Sequence, residues 1–348
     1  MKPRVTKSII DTAVNSPIDL PPSLSPQPEA KAGARPPRQR IQRRPVHGVL
    51  LLDKPIGLSS NDALQKVKWL LRAEKAGHTG TLDPLATGLL PLCFGAATKF
   101  SQVSLDADKV YETTLRLGQT TTTGDAEGEL LDERPVQIDA ERVAAACAAF
   151  SGEIQQCPPM YSALKHEGRP LYEYARAGIV IERPSRTVTI HAIDILGWDD
   201  QSLRLRVRCS KGTYIRTLGE DIGRWLGCGA HLSQLRRVAS GPCRIEDAIS
   251  LDALAAMTEA EREAMLRPPD SLLADWPALR LEAEDAGRFL SGLRRRLQPR
   301  PPDDLPQVRV YGPEPGAFLG SGRVKAGELI AERLLSPIEV QALIKPSV

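Results

Sequence analysis

Asp83 stands inside Gly77-His78-Thr79-Gly80-Thr81-Leu82-Asp83-Pro84-Leu85-Ala86-Thr87-Gly88, a stretch whose residue types build a loop of fixed shape around one carboxylate. Glycines at 77, 80 and 88 permit backbone angles that other residues avoid, Pro84 fixes the chain after the carboxylate, and the threonine hydroxyls can satisfy loop amides. A carboxylate held in this way can act as a nucleophile or a base without a cofactor. An Asp-Pro pair taken alone is an ordinary turn former, so the chemical reading rests on the whole string. The six cysteines contain no Cys-x-x-Cys pair and the five histidines are scattered, so zinc-ligand spacing is absent. The cysteines read as reduced, mostly core residues, and no metal or cofactor is expected.

The elements on either side must hold that loop. His47 to Pro55 reads as a buried strand ending in a turn at Pro55 and Gly57. Ser59, Ser60 and Asn61 then offer N-caps for a helix whose Ala63, Leu64, Val67, Leu70 and Leu71 recur at helical spacing. A second apolar strand, Leu89 to Phe94, follows the loop. Val110 to Leu117 alternates, with Tyr111, Thr113, Leu115 and Leu117 on the more apolar face. Leu203 to Cys209 is the clearest strand, with Leu203, Leu205, Val207 and Cys209 inward and Arg204, Arg206 and Arg208 outward. From Ser210-Lys211-Gly212-Thr213 a helix leaves with Ile215, Leu218, Ile222 and Leu226 on one stripe. Strands outnumber helices, and the expected fold is an α+β body around a large mixed sheet.

A chain of 348 residues with 41% hydrophobic side chains can bury a substantial core, enough for one large or two moderate domains. No apolar run approaches the length of a membrane span, and Met1 to Ser16 lacks the apolar segment of a signal peptide; a soluble, cytoplasmic protein is the default expectation. The net charge of +3 is unevenly divided. Residues 1–47 hold nine Lys or Arg against three Asp or Glu, which leaves the remainder slightly acidic. Nucleic acid would therefore bind the body through a local patch, while the tail adds sequence-independent attraction to phosphate. Residues 1–46, with nine prolines and few large apolar side chains, read as a disordered basic extension. The body runs over 47–250 and includes, at 151–183, a polar, aromatic and basic stretch suited to an exposed loop and short helix. Residues 251–277 connect it to a small β-rich unit at 278–348.

The string around Asp83 is similar to the catalytic motif of the TruB family, the bacterial tRNA pseudouridine-55 synthases. Four further segments resemble that family in the same order: Leu51 to Ser60, Lys109-Val110-Tyr111-Glu112, Cys209 to Leu218, and Gly229 to Arg237. The resemblance spans roughly residues 47–248. It implies a pseudouridine-synthase fold with a large mixed, mainly antiparallel sheet and a PUA-like C-terminal domain, the latter on a fainter likeness. It also implies isomerisation of uridine 55 in the tRNA T-loop, reached by base flipping and requiring no cofactor.

By the same resemblance Asp83 is the catalytic carboxylate and Arg216 the guanidinium that keeps it ionised. Tyr111 offers an aromatic face for uracil and a phenol for a proton, and Tyr214 and Leu235 wall the pocket. His78 would fill space left by displaced T-loop bases, with acid/base work or bracing of the loop as alternatives. Lys54 and Asp125 stand in matching motifs as candidate RNA contacts, and Lys165, Arg169, Lys211, Arg236 and Arg237 are candidates for the basic patch. The expected partner is the tRNA T-arm stem-loop, with no membrane, no protein partner and a monomeric enzyme. Three alternatives stay open: the same chemistry on another RNA, a non-catalytic RNA-binding protein of this fold, and a glycosidic-bond hydrolase, for which a second carboxylate is not evident.

Overall fold

The computed structural model describes residues 42–298, 303–313 and 316–344; the expected basic extension lies outside the described residues up to Ile41. The backbone pairs slightly earlier than Val46, because Arg44 N–H donates to the Arg72 carbonyl at 2.9 Å and its own carbonyl accepts from Glu74 N–H at 3.1 Å. The Arg44 guanidinium also bridges Glu259 and Glu263.

The body is one ten-stranded mixed sheet. Its main path runs Ile249–Ser250, Gly48–Lys54, Thr87–Phe94, Ala230–Ser240, Lys109–Leu117, Ser202–Cys209, Arg186–Trp198 and Gly152–Gln156. Two short strands, Ala76–His78 and Cys243–Arg244, attach beside it. Pairing is antiparallel except where Gly48–Lys54 meets Ile249–Ser250 and where Thr87–Phe94 meets Ala230–Ser240. The second parallel pair brings the strand leaving the Asp83 loop alongside the strand carrying Leu235 and Arg237. Gly88 makes it feasible: its φ is +96°, and a Cβ there would stand 2.3 Å from the Arg237 carbonyl oxygen, so only glycine fits.

Alternation decides what lies on each face. Leu115, Leu203, Leu205, Val207 and Cys209 turn inward against the helices Ala140–Ala149 and Ile215–Leu226, the latter contributing Ile215, Leu218, Ile222 and Leu226. Leu50, Leu52, Leu90 and Leu92 point to the same side and bury the Ser60–Leu70 helix through Ala63, Leu64 and Val67. Two helices thus cover one half of this face and one the other, and the Asp83 loop sits between them. The opposite face carries Val49, Leu51, Leu89 and Cys93 under the C-terminal segment, and farther along it the arginines of Ser202–Cys209 remain exposed.

The C-terminal segment forms its own five-stranded sheet in the order Ala278–Arg280, Leu305–Tyr311, Phe318–Lys325, Glu328–Leu334, Arg295–Arg296. Its core is continuous with the body: Phe289, Val308, Val310, Phe318 and Leu329 pack in one cluster with Val49, Leu51, Leu89 and Phe100. Phe100 and Phe318 meet with ring centroids 5.2 Å apart. Among the described residues no helix is long and apolar enough to cross a membrane.

Candidate active site

The loop that presents Asp83 is tied at several points. Ser60, at the start of the Ser60–Leu70 helix, accepts from Leu82 N–H at 2.7 Å and donates to the Leu82 carbonyl at 3.1 Å. Pro84 C=O accepts from Gly57 N–H at 2.8 Å, and Thr79 N–H reaches the Pro91 carbonyl at 3.1 Å. Lys54 braces the turn below. It is fully buried, and its Nζ donates to the carbonyls of Pro55 at 2.9 Å and Leu58 at 2.6 Å. Burial pulls its ammonium down to about 8 against the favourable charge of Asp83. Lys54 is therefore a loop brace rather than the RNA contact expected from its motif.

Arg216 leaves the first turn of the Ile215–Leu226 helix with its side chain 6% exposed, and its Nη2 lies 2.9 Å from Asp83 Oδ2. Its Nη1 and Nη2 also donate to the carbonyls of Thr123 at 3.0 Å and Tyr161 at 2.6 Å, and its Nε faces Asp125 Oδ2 at 3.6 Å. Each guanidinium nitrogen thus faces an oxygen, and the two carbonyl bonds together with the Asp83 contact fix its plane. Asp83 is by contrast 39% exposed and open to an adjoining cavity. Burial pushes the Asp83 carboxyl above its ordinary value, Arg216 opposes that shift, and Asp125 reinforces it.

The cavity holds about 400 Å³ and is lined by Asp83, Tyr111, Tyr214, Arg216 and Leu235, with Thr81, Lys109, Ser162, Arg186 and Arg237 among the remaining walls. It therefore gathers five residues that the sequence assigned to catalysis and the pocket. Tyr111 stands across the strand pair from Arg237; burial raises its phenol and the Arg237 charge opposes the rise, so the ring is present as a neutral phenol. Arg237, 1% exposed, donates to the carbonyls of Leu89 at 2.7 Å and Gly80 at 3.1 Å. It is consequently a buried wall of the cavity and not part of an exposed patch.

The other expected contacts disperse. Arg236, one residue earlier on the same strand, points to the opposite face and pairs with both carboxylate oxygens of Asp53 at 3.0 and 2.8 Å. Lys211 is exposed and pairs with Asp106 at 2.8 Å. Lys165 and Arg169 lie exposed on a short hairpin. Five basic residues thus do not form a single patch. Asp125 is buried, accepting from the Thr123 hydroxyl at 2.5 Å and from Glu127 N–H at 3.1 Å. It borders a second cavity of about 350 Å³ beyond Asp83 and Arg216. Asp125, its side chain 4% exposed, is not among the walls of the first cavity, whereas the exposed Glu127 borders the second cavity with it. His78 sits on the strand Ala76–His78, outside the walls of both cavities. Its Nδ1 is buried without a hydrogen-bond partner, and burial together with Arg237 lowers its pKa, which keeps the ring neutral.

Two residues of the site were not singled out from sequence. Gln156, 1% exposed, accepts from Tyr214 N–H at 2.9 Å and donates to the Tyr214 carbonyl at 3.1 Å. Tyr214 is the N-cap residue of the Arg216 helix and makes no side-chain capping bond; the Gln156 amide instead holds both backbone groups of Tyr214 at the entry to that helix. Arg186, paired opposite Gln156 in the sheet, lays its guanidinium carbon 4.9 Å from the Tyr214 ring centroid. The available signal was a glutamine inside the 151–183 stretch and an arginine just beyond it, with nothing in their spacing to Tyr214 to mark them.

Comparison with known proteins agrees with this geometry. Residues 68–215 match the model of the TruB family pseudouridylate synthase N-terminal domain, residues 216–274 the tRNA pseudouridylate synthase B C-terminal domain, and residues 277–335 the C-terminal domain of pseudouridine synthase II TruB. The chain is 60% identical over 311 residues to tRNA pseudouridine synthase B of Cupriavidus pinatubonensis, covering 87% of this chain and 98% of that protein. It is 57% identical over 315 residues to the protein of the same name from Verminephrobacter eiseniae, covering 88% and 94%. Among solved structures, a chain of a Cbf5-Nop10-Gar1 complex aligns with TM-score 0.64 at 26% identity, covering 88% of each chain.

Proposed function

The chain belongs to the TruB family of pseudouridylate synthases, and from that premise we propose how its site works on uridine 55 of the tRNA T-loop. The enzyme isomerises uridine to pseudouridine in tRNA. No atom enters or leaves overall: the bond from N1 to C1′ of the ribose breaks, the base turns, a bond from C5 to C1′ forms, C5 loses its hydrogen and N1 gains one.

The observation that carries the assignment of roles is the contact between Arg216 and Asp83, 2.9 Å apart at the edge of the cavity. Asp83 supplies the carboxylate as nucleophile or base, and the buried guanidinium opposes the upward shift that burial imposes on it. A uridine still stacked in an RNA loop cannot reach this position, so the nucleotide enters flipped, its base against the Tyr111 ring and the Leu235 side chain. Tyr214 closes the wall nearest Arg216. The Tyr111 phenol, held protonated by burial, is available as a proton donor or as a neutral partner to the base. His78, neutral and beside the loop strand, meets the RNA outside the cavity, in the space that displaced T-loop bases leave. The T-arm stem-loop is the RNA element engaged.

The test is to incubate the purified protein with unmodified tRNA and map pseudouridine along the whole molecule. Modification confined to position 55 supports the reading. Modification at another position refutes the assigned substrate, and release of free uracil would mean that the bond to the ribose is hydrolysed instead.

A further inference from the structure

We infer that Arg186, stacked on Tyr214 at the mouth of the cavity, binds a backbone phosphate adjoining the uridine that enters it. The inference rests on the reading of the cavity as a nucleotide site and adds a ligand to it. Cations near the Asp83 cavity mostly have their charge answered. Arg216 faces Asp83, Lys211 pairs with Asp106, and the buried Arg237 spends donors on backbone carbonyls. Arg186 lines the cavity but has no carboxylate partner among the described residues. Its Nη2 donates to the Gly212 carbonyl, and its Nε is buried with no hydrogen-bond partner. Of the five N–H donors of a guanidinium, the two on Nη1 and the second on Nη2 are therefore unspent, and that Nη edge can meet two phosphate oxygens.

The placement is built by the fold. Arg186 and Gln156 stand opposite each other in an antiparallel strand pair, so their side chains leave the same face. Both converge on Tyr214, the amide on its backbone and the guanidinium on its ring. The guanidinium carbon lies 4.9 Å from the ring centroid, which holds its plane while leaving donor edges open. Gly212, with φ at +79°, makes the neighbouring turn, and a Cβ there would approach the guanidinium carbon to 3.3 Å. A nucleotide whose base rests between Tyr111 and Asp83 must leave its phosphates at the cavity mouth, where an unpaired arginine is the matching charge.

The test compares wild type, Arg186→Met and Arg186→Lys, using unmodified tRNA and tRNA carrying single neutral methylphosphonate linkages on either side of uridine 55. If Arg186 holds a phosphate, Arg186→Met lowers the slope of log affinity against log salt by about one phosphate contact. It also raises KM about 10-fold, the cost expected for a lost hydrogen-bonded charge contact, with kcat within a factor of two or so of wild type. One methylphosphonate weakens wild-type binding by a similar factor and has no further effect on Arg186→Met. Arg186→Lys keeps the salt slope and recovers only part of the affinity, since an ammonium lacks the fork. An unchanged slope with a reduced kcat would overturn the proposal and leave Arg186 as a prop for Tyr214, as would methylphosphonate effects that add fully to the substitution. The binding arms do not depend on turnover, so a wild-type protein that bound tRNA through Arg186 without forming pseudouridine would refute the functional reading and not this one.

Discussion

Arg216 meets Asp83 across a boundary between buried and open structure: the guanidinium is 6% exposed and the carboxylate 39%, with 2.9 Å between them. The cation is fixed by the Thr123 and Tyr161 carbonyls before any substrate arrives, so the field at the carboxylate is organised in advance. The anion keeps one side free for the reacting nucleotide. Such a division of roles needs an arginine at that position, because the same side chain must satisfy two carbonyls and face two carboxylates at once.

The pH dependence follows from that pair. Burial raises the Asp83 pKa and Arg216 opposes the rise, so activity needs the ionised form and falls as pH drops through the folded-state value. Arg216→Met removes the opposing charge, which moves the acid limb of the kcat/KM profile to higher pH and lowers the plateau by roughly 10²-fold or more. Arg216→Lys recovers only part of the plateau. An acid limb unmoved in Arg216→Met, measured with tRNA binding verified at each pH, would show that Arg216 does not control Asp83.

Much of this was legible along the chain. The alternation from Tyr111 to Leu117 and from Leu203 to Cys209 gives faces that the sheet keeps, and the Ser59 cap and the stripe from Ile215 to Leu226 appear as expected. Asp83, Tyr111, Arg216, Tyr214 and Leu235 converge on one cavity, as the motif order implied. What escaped is set by contacts distant in sequence. Lys54 and Arg237 read as surface cations because composition carries no sign of the backbone carbonyls that receive them. Arg236 and Arg237 read as one patch although adjacent strand residues face opposite ways. Gln156 and Arg186 acquire their roles only when the edge strand Gly152–Gln156 pairs with Arg186–Trp198.

Lys54 makes a stability prediction with a definite sign. Burial pulls its folded-state pKa to about 8 from the ordinary 10.5, so the folded protein carries the full penalty of a buried ammonium below pH 8 and sheds it as pH rises toward the unfolded value. Relative to Lys54→Met, the wild type should gain up to about 3 kcal/mol between pH 8 and 10.5. Denaturant unfolding of both proteins across that window checks it. A difference that stays constant with pH would mean the lysine titrates normally in the fold.

Gln156 should separate positioning from folding. Gln156→Glu keeps the shape but cannot donate to the Tyr214 carbonyl, and it should lower kcat by up to roughly 10²-fold through displacement of Tyr214 and Arg216, with a smaller change in KM. Gln156→Leu leaves the Tyr214 N–H without its partner and should cost about 1–3 kcal/mol of stability as well. Thermal unfolding and steady-state kinetics on both variants read the two effects separately; wild-type kcat in Gln156→Glu would remove Gln156 from the account.

Joining C5 to the ribose expels the C5 hydrogen, so release of tritium from tRNA labelled at C5 of uridine measures the reaction directly. The wild-type protein should release one equivalent per tRNA with a T-loop uridine 55. Asp83→Asn, which keeps the side-chain shape and removes the charge, should bind the same tRNA and release tritium at least roughly 10³-fold more slowly. Release by Asp83→Asn at a rate near wild type, in protein whose sequence has been verified, would contradict the assignment of Asp83 as the catalytic carboxylate.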